Sequence, residues 1–183
     1  MRLAMASLAL FLWTHSALAD APTLPDSSKT PGRSDPAVTT ANYRTQLCSA
    51  ANGKKYHTTD EKRPTTAYTN GWKKKQLKEW GYDDTKPGDY EEDHLVSLEL
   101  GGDPSSPKNL WPQPYSGKWN AKVKDGLEGE LGRRVCLPTN DPDYISLTTA
   151  REAIKTDWIK AYVKYVCTRS KPPLTAIMQD HCS

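Results

Sequence analysis

The stretch from Tyr90 to Asp125 constrains this chain more tightly than any other. It opens on a charged run, Glu91-Glu92-Asp93-His94, and passes into a more apolar one, Leu95 to Leu100. Gly101-Gly102 breaks the strand that this second run predicts, and Asp103-Pro104-Ser105-Ser106-Pro107 supplies turn formers. Asn109-Leu110-Trp111 restarts the chain as a second extended piece. After Pro114 and Gly117 the period changes. Trp119, Val123, Leu127 and Leu131 recur every four residues, the spacing of one helix face, and the helix is expected to run through Arg134. The order is strand, long turn, strand, helix.

Around this stretch the chain divides simply. Met1-Arg2, the apolar residues Leu3 to Trp13 and the small-residue site Ala17-Leu18-Ala19 predict a secretory signal over 1–19, too short to span a bilayer comfortably. Residues 20–41 hold four prolines with Ser, Thr and Gly and predict a flexible leader. A single domain is expected over 42–183, with an irregular tail from Cys167. No later stretch is apolar enough to cross a membrane. The formal net charge is only +3, and the expected signal removes one positive charge, Arg2. A near-neutral chain has no strong overall pull on a polyanion, so any steering must come from local clusters.

Four cysteines, Cys48, Cys136, Cys167 and Cys182, all follow the signal. An even count in an exported chain predicts two disulfides, with three connectivities open. A zinc site is the weaker reading, because no C-x-x-C pair is present. Thr69 is expected to cap a helix reaching Trp80, with Trp72, Leu77 and Trp80 inward and Gly81 as its stop. Lys73, Lys74, Lys75 and Lys78 on this element are either phosphate contacts or a solvated face. Thr149 and Glu152 have capping-box spacing, and Ile154, Trp158, Tyr162 and Val166 follow as one face of a closing amphipathic helix.

The set Asp93-His94, Gly101-Gly102, Asn109-Leu110 and a helix bearing Asn120 with Lys122 or Lys124 resembles the HNH, or ββα-metal, nuclease motif. The wider resemblance, to small secreted bacterial HNH-like proteins, runs from about Gly32 to Val166. It implies an α+β fold: a ββα-metal core with flanking helices, disulfide-bonded and in one domain. Cys48 and Cys136 fall in segments that resemble the family's. The pairing implied is Cys48–Cys136, with Cys167–Cys182 stapling the tail.

Hydrolysis of a phosphodiester needs a base for water and a positive charge for the phosphate. His94 is the candidate base, since imidazole titrates near neutrality and this histidine alone sits beside a carboxylate at a strand; His57 lies in a polar loop and His181 in the tail. A histidine satisfied in a network with Asp93 or Glu92 is the bland alternative. The resemblance makes Asp93 a metal ligand and gives Asn109 the task of pinning the long turn through backbone hydrogen bonds. The chain departs from the usual pattern on the helix, where no histidine lies between Ser116 and Arg134. Asn120 is expected to replace it as a hard oxygen donor, and a divalent cation, Mg²⁺ or Mn²⁺, suits such a site. Lys124 is expected to bind the scissile phosphate, or else to pair with Glu128 at i, i+4.

The resemblance thus implies an endonuclease that cleaves DNA or RNA, and the signal makes it secreted or periplasmic and free of the membrane after cleavage. A small, near-neutral chain with no separate DNA-reading helix is expected to contact backbone, to cut with low sequence specificity and to be a monomer. The alternative is a non-catalytic exported binding protein that keeps a degenerate HNH fold.

Overall fold

The structure is a computed structural model that describes residues 23–48, 62–169, 173 and 175–182. The expected signal over 1–19 and the polar loop bearing His57 lie outside the described residues. The chain mixes helix and strand. A short π-helical turn, Arg44–Cys48, is followed by helix α1, Thr66–Glu79. Strands β1, Tyr90–His94, and β2, Leu110–Pro114, come next, then α2, Ala121–Val135, α3, Leu147–Tyr165, and the short α4, Ala176–Asp180.

The strands form one antiparallel hairpin in which Glu92 faces Pro112, Asp93 faces Trp111 and His94 faces Leu110. Its position corrects the expectation. The strand is the charged run Tyr90–His94, and Leu98–Leu100 is a 3₁₀ turn instead. The physical reason is cover on both sides. Helix α1 packs on the hairpin, with Gln76 Nε2 donating to Leu110 O at 2.9 Å and Lys73 Nζ to Tyr90 O at 2.8 Å. Helix α2 reaches it from elsewhere, Lys124 Nζ donating to His94 O at 2.8 Å. A strand partnered this way can carry acids, while Leu95, Val96, Leu98 and Leu100 turn into the interior.

Helix α1 starts earlier than expected. Thr65, not Thr69, accepts from Tyr68 N, and Gly81 at φ 73° follows its end. Leu77 is buried, but Trp72 and Trp80 are only half-buried. Helix α3 likewise starts one turn before Thr149, capped by Ser146, and breaks at Asp157 (φ −164°, ψ 94°). Its expected face holds: Ile154, Trp158, Tyr162 and Val166 are all buried, packed with Val123, Leu127 and Leu131 of α2. This α2–α3 layer is the core.

Both disulfides form as expected. Cys48–Cys136 ties the π-helical turn to the end of α2, and Cys167–Cys182 ties the end of α3 to the residues after α4. The tail is therefore not wholly irregular. The leader, expected to be flexible, is docked from Thr23 onward. Gly32 N donates to Lys108 O, Asp35 N to Gly101 O and Asp103 N to Arg33 O, while Trp158 Nε1 donates to Thr23 O. Backbone pairing, side-chain bonds and the burial of Val38 in the core hold it, which a scarcity of large apolar residues does not forbid. No helix among the described residues is long and apolar enough to cross a membrane.

Candidate functional site

The hairpin turn from Leu95 to Asn109 is built around one side chain. Asn109 is fully buried; its Oδ1 accepts from Val96 N at 2.9 Å, and its Nδ2 donates to Val96 O and Asp103 O, each at 3.0 Å. Gly102 makes room: a Cβ there would stand 1.8 Å from Val96 O, so no other residue fits. The turn tied down in this way presents the Pro104 carbonyl to His94, whose Nε2 lies 2.9 Å away. A carbonyl oxygen only accepts, so Nε2 carries the proton and Nδ1 keeps the lone pair. Burial disfavours the imidazolium and holds the His94 pKa below the ordinary histidine value, although the Pro104 bond and the Asp93 charge work against that shift.

His94 lines a cavity of about 300 Å³ together with Arg63, Glu91, Asp93, Leu98, Glu99, Asp125 and Glu128. The walls are strongly acidic. Burial raises the Glu91 and Asp125 pKa values, and Asp93 adds to both shifts through like charge. Beneath this wall lies Lys124, whose side chain is 1% exposed. Its ammonium contacts Asp93 Oδ2 at 2.7 Å, His94 O at 2.8 Å and Glu128 Oε1. Burial opposes the lysine charge, but the two carboxylates more than offset it and hold its pKa above the ordinary value. One carboxylate suffices to neutralise one ammonium. The second, Glu128, holds its proton more tightly than an ordinary glutamate because burial outweighs the pull of Lys124, and its pKa is pushed up to about 8.

Asn120 is used elsewhere. It is the N-cap of α2, its Oδ1 accepting from Val123 N at 3.2 Å and its Nδ2 donating to Gly117 O at 2.9 Å. The structure therefore brings His94, Asp93 and Lys124 together, holds the turn with Asn109, and gives Asn120 a helix-capping role away from the cavity walls. A divalent cation on Asp93 and Asn120 does not fit this arrangement, because the Asp93 oxygen faces an ammonium and the Asn120 oxygen faces a backbone N–H. Among the described residues, no three His, Cys, Asp or Glu side chains are arranged to hold a metal ion.

Sequence reasoning passed over Arg63, Glu99 and Asp125. One signal was available for the helix: Asp125 and Glu128, three residues apart, share a face with one another. Glu99 interrupts the apolar run Leu95 to Leu100, a charge where burial was expected, whereas Arg63 comes from a segment distant in sequence. No protein-family model, curated protein or solved structure matches the chain.

Proposed function

We propose that this chain is an exported endonuclease, secreted or periplasmic, that hydrolyses phosphodiester bonds of DNA or RNA with low sequence specificity. One observation carries the reading: His94 sits at a strand end on a polar cavity, with its tautomer set by Pro104 and its ring kept neutral by burial. Such a ring accepts a proton from water at neutral pH through Nδ1. The ring is oriented before any substrate arrives, because Asn109 holds the turn that holds it. Arg63 is exposed and lines the same cavity, where it is the side chain placed to meet a phosphate. No step is assigned to a metal ion, for the reason of fit given above. Contacts to the backbone rather than base edges give cleavage without sequence preference.

The position of Lys124 favours a second reading, a non-catalytic binding protein. Its ammonium occupies the oxygen of Asp93 that a cation would need. Cleavage of supercoiled plasmid and of a single-stranded RNA by the oxidised chain, with Mg²⁺, with Mn²⁺ and in chelator, separates the two. The endonuclease reading expects cleavage in at least one condition, reduced about 10²- to 10⁴-fold by His94→Ala. Equal cleavage by His94→Ala removes the base, and failure to cleave either plasmid or single-stranded RNA in any condition removes the endonuclease and leaves the binding protein.

A further inference from the structure

Helix α1 carries an exposed face that the His94 site does not use. Tyr68, Gly71, Trp72 and Lys75 follow one another at helical spacing and line an open depression of about 340 Å³. Tyr68 is 37% exposed. Its hydroxyl donates to Ser105 O at 2.5 Å, which fixes the ring. Its centroid lies 6.5 Å from that of Trp72. Gly71 lines the same depression, and among the described residues a Cβ added there would meet nothing within 4 Å beyond its chain neighbours. The Lys75 ammonium stands 4.8 Å from the Trp72 ring centroid, and Lys74 and Lys78 are exposed one step along the helix.

We propose that this face binds single-stranded nucleic acid, its bases stacking on Tyr68 and Trp72 over the depression at Gly71 and its phosphates meeting Lys74, Lys75 and Lys78. Every base offers a π-face, and lysines beside aromatic rings bind a polyanion without reading its sequence. A duplex keeps its base faces stacked internally, so the platform discriminates against it. A neutral apolar partner would leave the lysines unpaired, and an acidic protein would leave the rings without purpose. The placement links the platform to the cavity. Ser105, which holds Tyr68, adjoins Pro104, which holds His94, and Arg63 lies just before α1 on the cavity wall. The inference deepens the nucleic-acid reading and rests on it for its substrate class.

The test uses the full oxidised His94→Ala chain in chelator, so that binding is measured without cleavage. Fluorescence anisotropy follows a labelled oligothymidylate, a duplex of equal length, and competition by polyglutamate. The single strand is expected to bind at least tenfold more tightly than the duplex, with polyglutamate a poor competitor. Trp72→Ala should weaken binding about 5- to 150-fold, the loss of one stacked base. Gly71→Leu, whose Cβ enters open space, should block the depression beside the rings and weaken it comparably while leaving thermal unfolding no lower. Equal affinity for duplex, effective competition by polyglutamate, or unchanged binding in both variants overturns the platform. Cleavage of plasmid and of single-stranded RNA by the His94-intact chain is scored separately. Cleavage without single-strand binding removes the platform alone, and single-strand binding without cleavage of either removes the endonuclease alone.

Discussion

Lys124→Met tests the charge arrangement under the cavity without reference to activity. The substitution keeps the length of the stem and removes the ammonium. Three contacts go with it, to Asp93, to Glu128 and to the His94 carbonyl. Deleting one partner of a buried pair costs about 3–5 kcal/mol, because the other charge is left uncompensated. Here the pair has two acids, but Glu128 holds its proton up to about pH 8 and strands no charge at neutrality. Asp93 alone is stranded, which points to the low end, about 3 kcal/mol at pH 7. For a chain of this size that lowers the unfolding midpoint by about 6–12 °C. The sign with pH follows. The Lys124 pKa is raised, so its stabilisation is fully present below the ordinary lysine value and is lost only as pH rises beyond it. Above pH 8 the parent's Glu128 ionises beside Lys124, whereas the variant's lacks the ammonium that lowers its pKa and goes on resisting ionisation, so the deficit grows. The assay is thermal unfolding by circular dichroism at pH 7 and pH 9, with Lys124→Met/Asp93→Asn alongside. The double variant should recover most of the loss, having no stranded charge. A single variant within about 2 °C of the parent, or a double variant no better than the single, refutes the argument.

Two further outcomes follow from buried polar groups. Among the described residues the two carboxylate oxygens of Glu92 have no hydrogen-bond partners, and burial pushes its pKa up to about 9, with Asp93 adding to the shift. A raised folded-state pKa gives stability present in full below the ordinary glutamate value and lost as pH rises toward 9. Glu92→Gln should therefore gain on the parent by up to about 1.4 kcal/mol per pH unit between pH 5 and pH 8; a constant difference in midpoint across that range would show the carboxyl to be solvated. Asn109→Ala leaves the buried Val96 N–H unpaired and should cost about 3 kcal/mol, read as a lower denaturant midpoint at unchanged slope. It should also slow nicking, because the turn no longer fixes His94. Full stability in that variant would mean another group ties the turn.

The closing helix was legible because Ile154, Trp158, Tyr162 and Val166 follow the helical period and nothing competes with their burial. The order of strand, turn, strand and helix was legible from punctuation, Gly101-Gly102 and the prolines. The placement of the first strand was not. Apolarity selects Leu95 to Leu100 as the strand, whereas the hairpin forms from acids whose partners come from α1 and α2. The same limit hid the site. That Lys124 pairs with Glu128 is written in their spacing, but that it reaches Asp93 and the His94 carbonyl is a tertiary fact. Asn120 followed the opposite course. An Asn before a helical run is a capping signal in its own right, and that local use took the amide oxygen assigned to a ligand. The docked leader left only a faint apolar mark, Val38, which joins the core, and its other attachments pair it with backbone and side chains far away in sequence.

The bond between Cys48 and Cys136 closes a ring of chain with a sequence separation of 88. Asp93, His94, Asn109 and Lys124 all lie within that ring. A protease that cuts the backbone once anywhere inside it opens a loop but divides nothing, for the two halves stay joined through sulfur. The nicked protein migrates as one species until a reductant is added, and His94, Asn109 and Lys124 remain on a single covalent molecule. Where that disulfide persists, damage to the main chain and loss of the working unit become separate events.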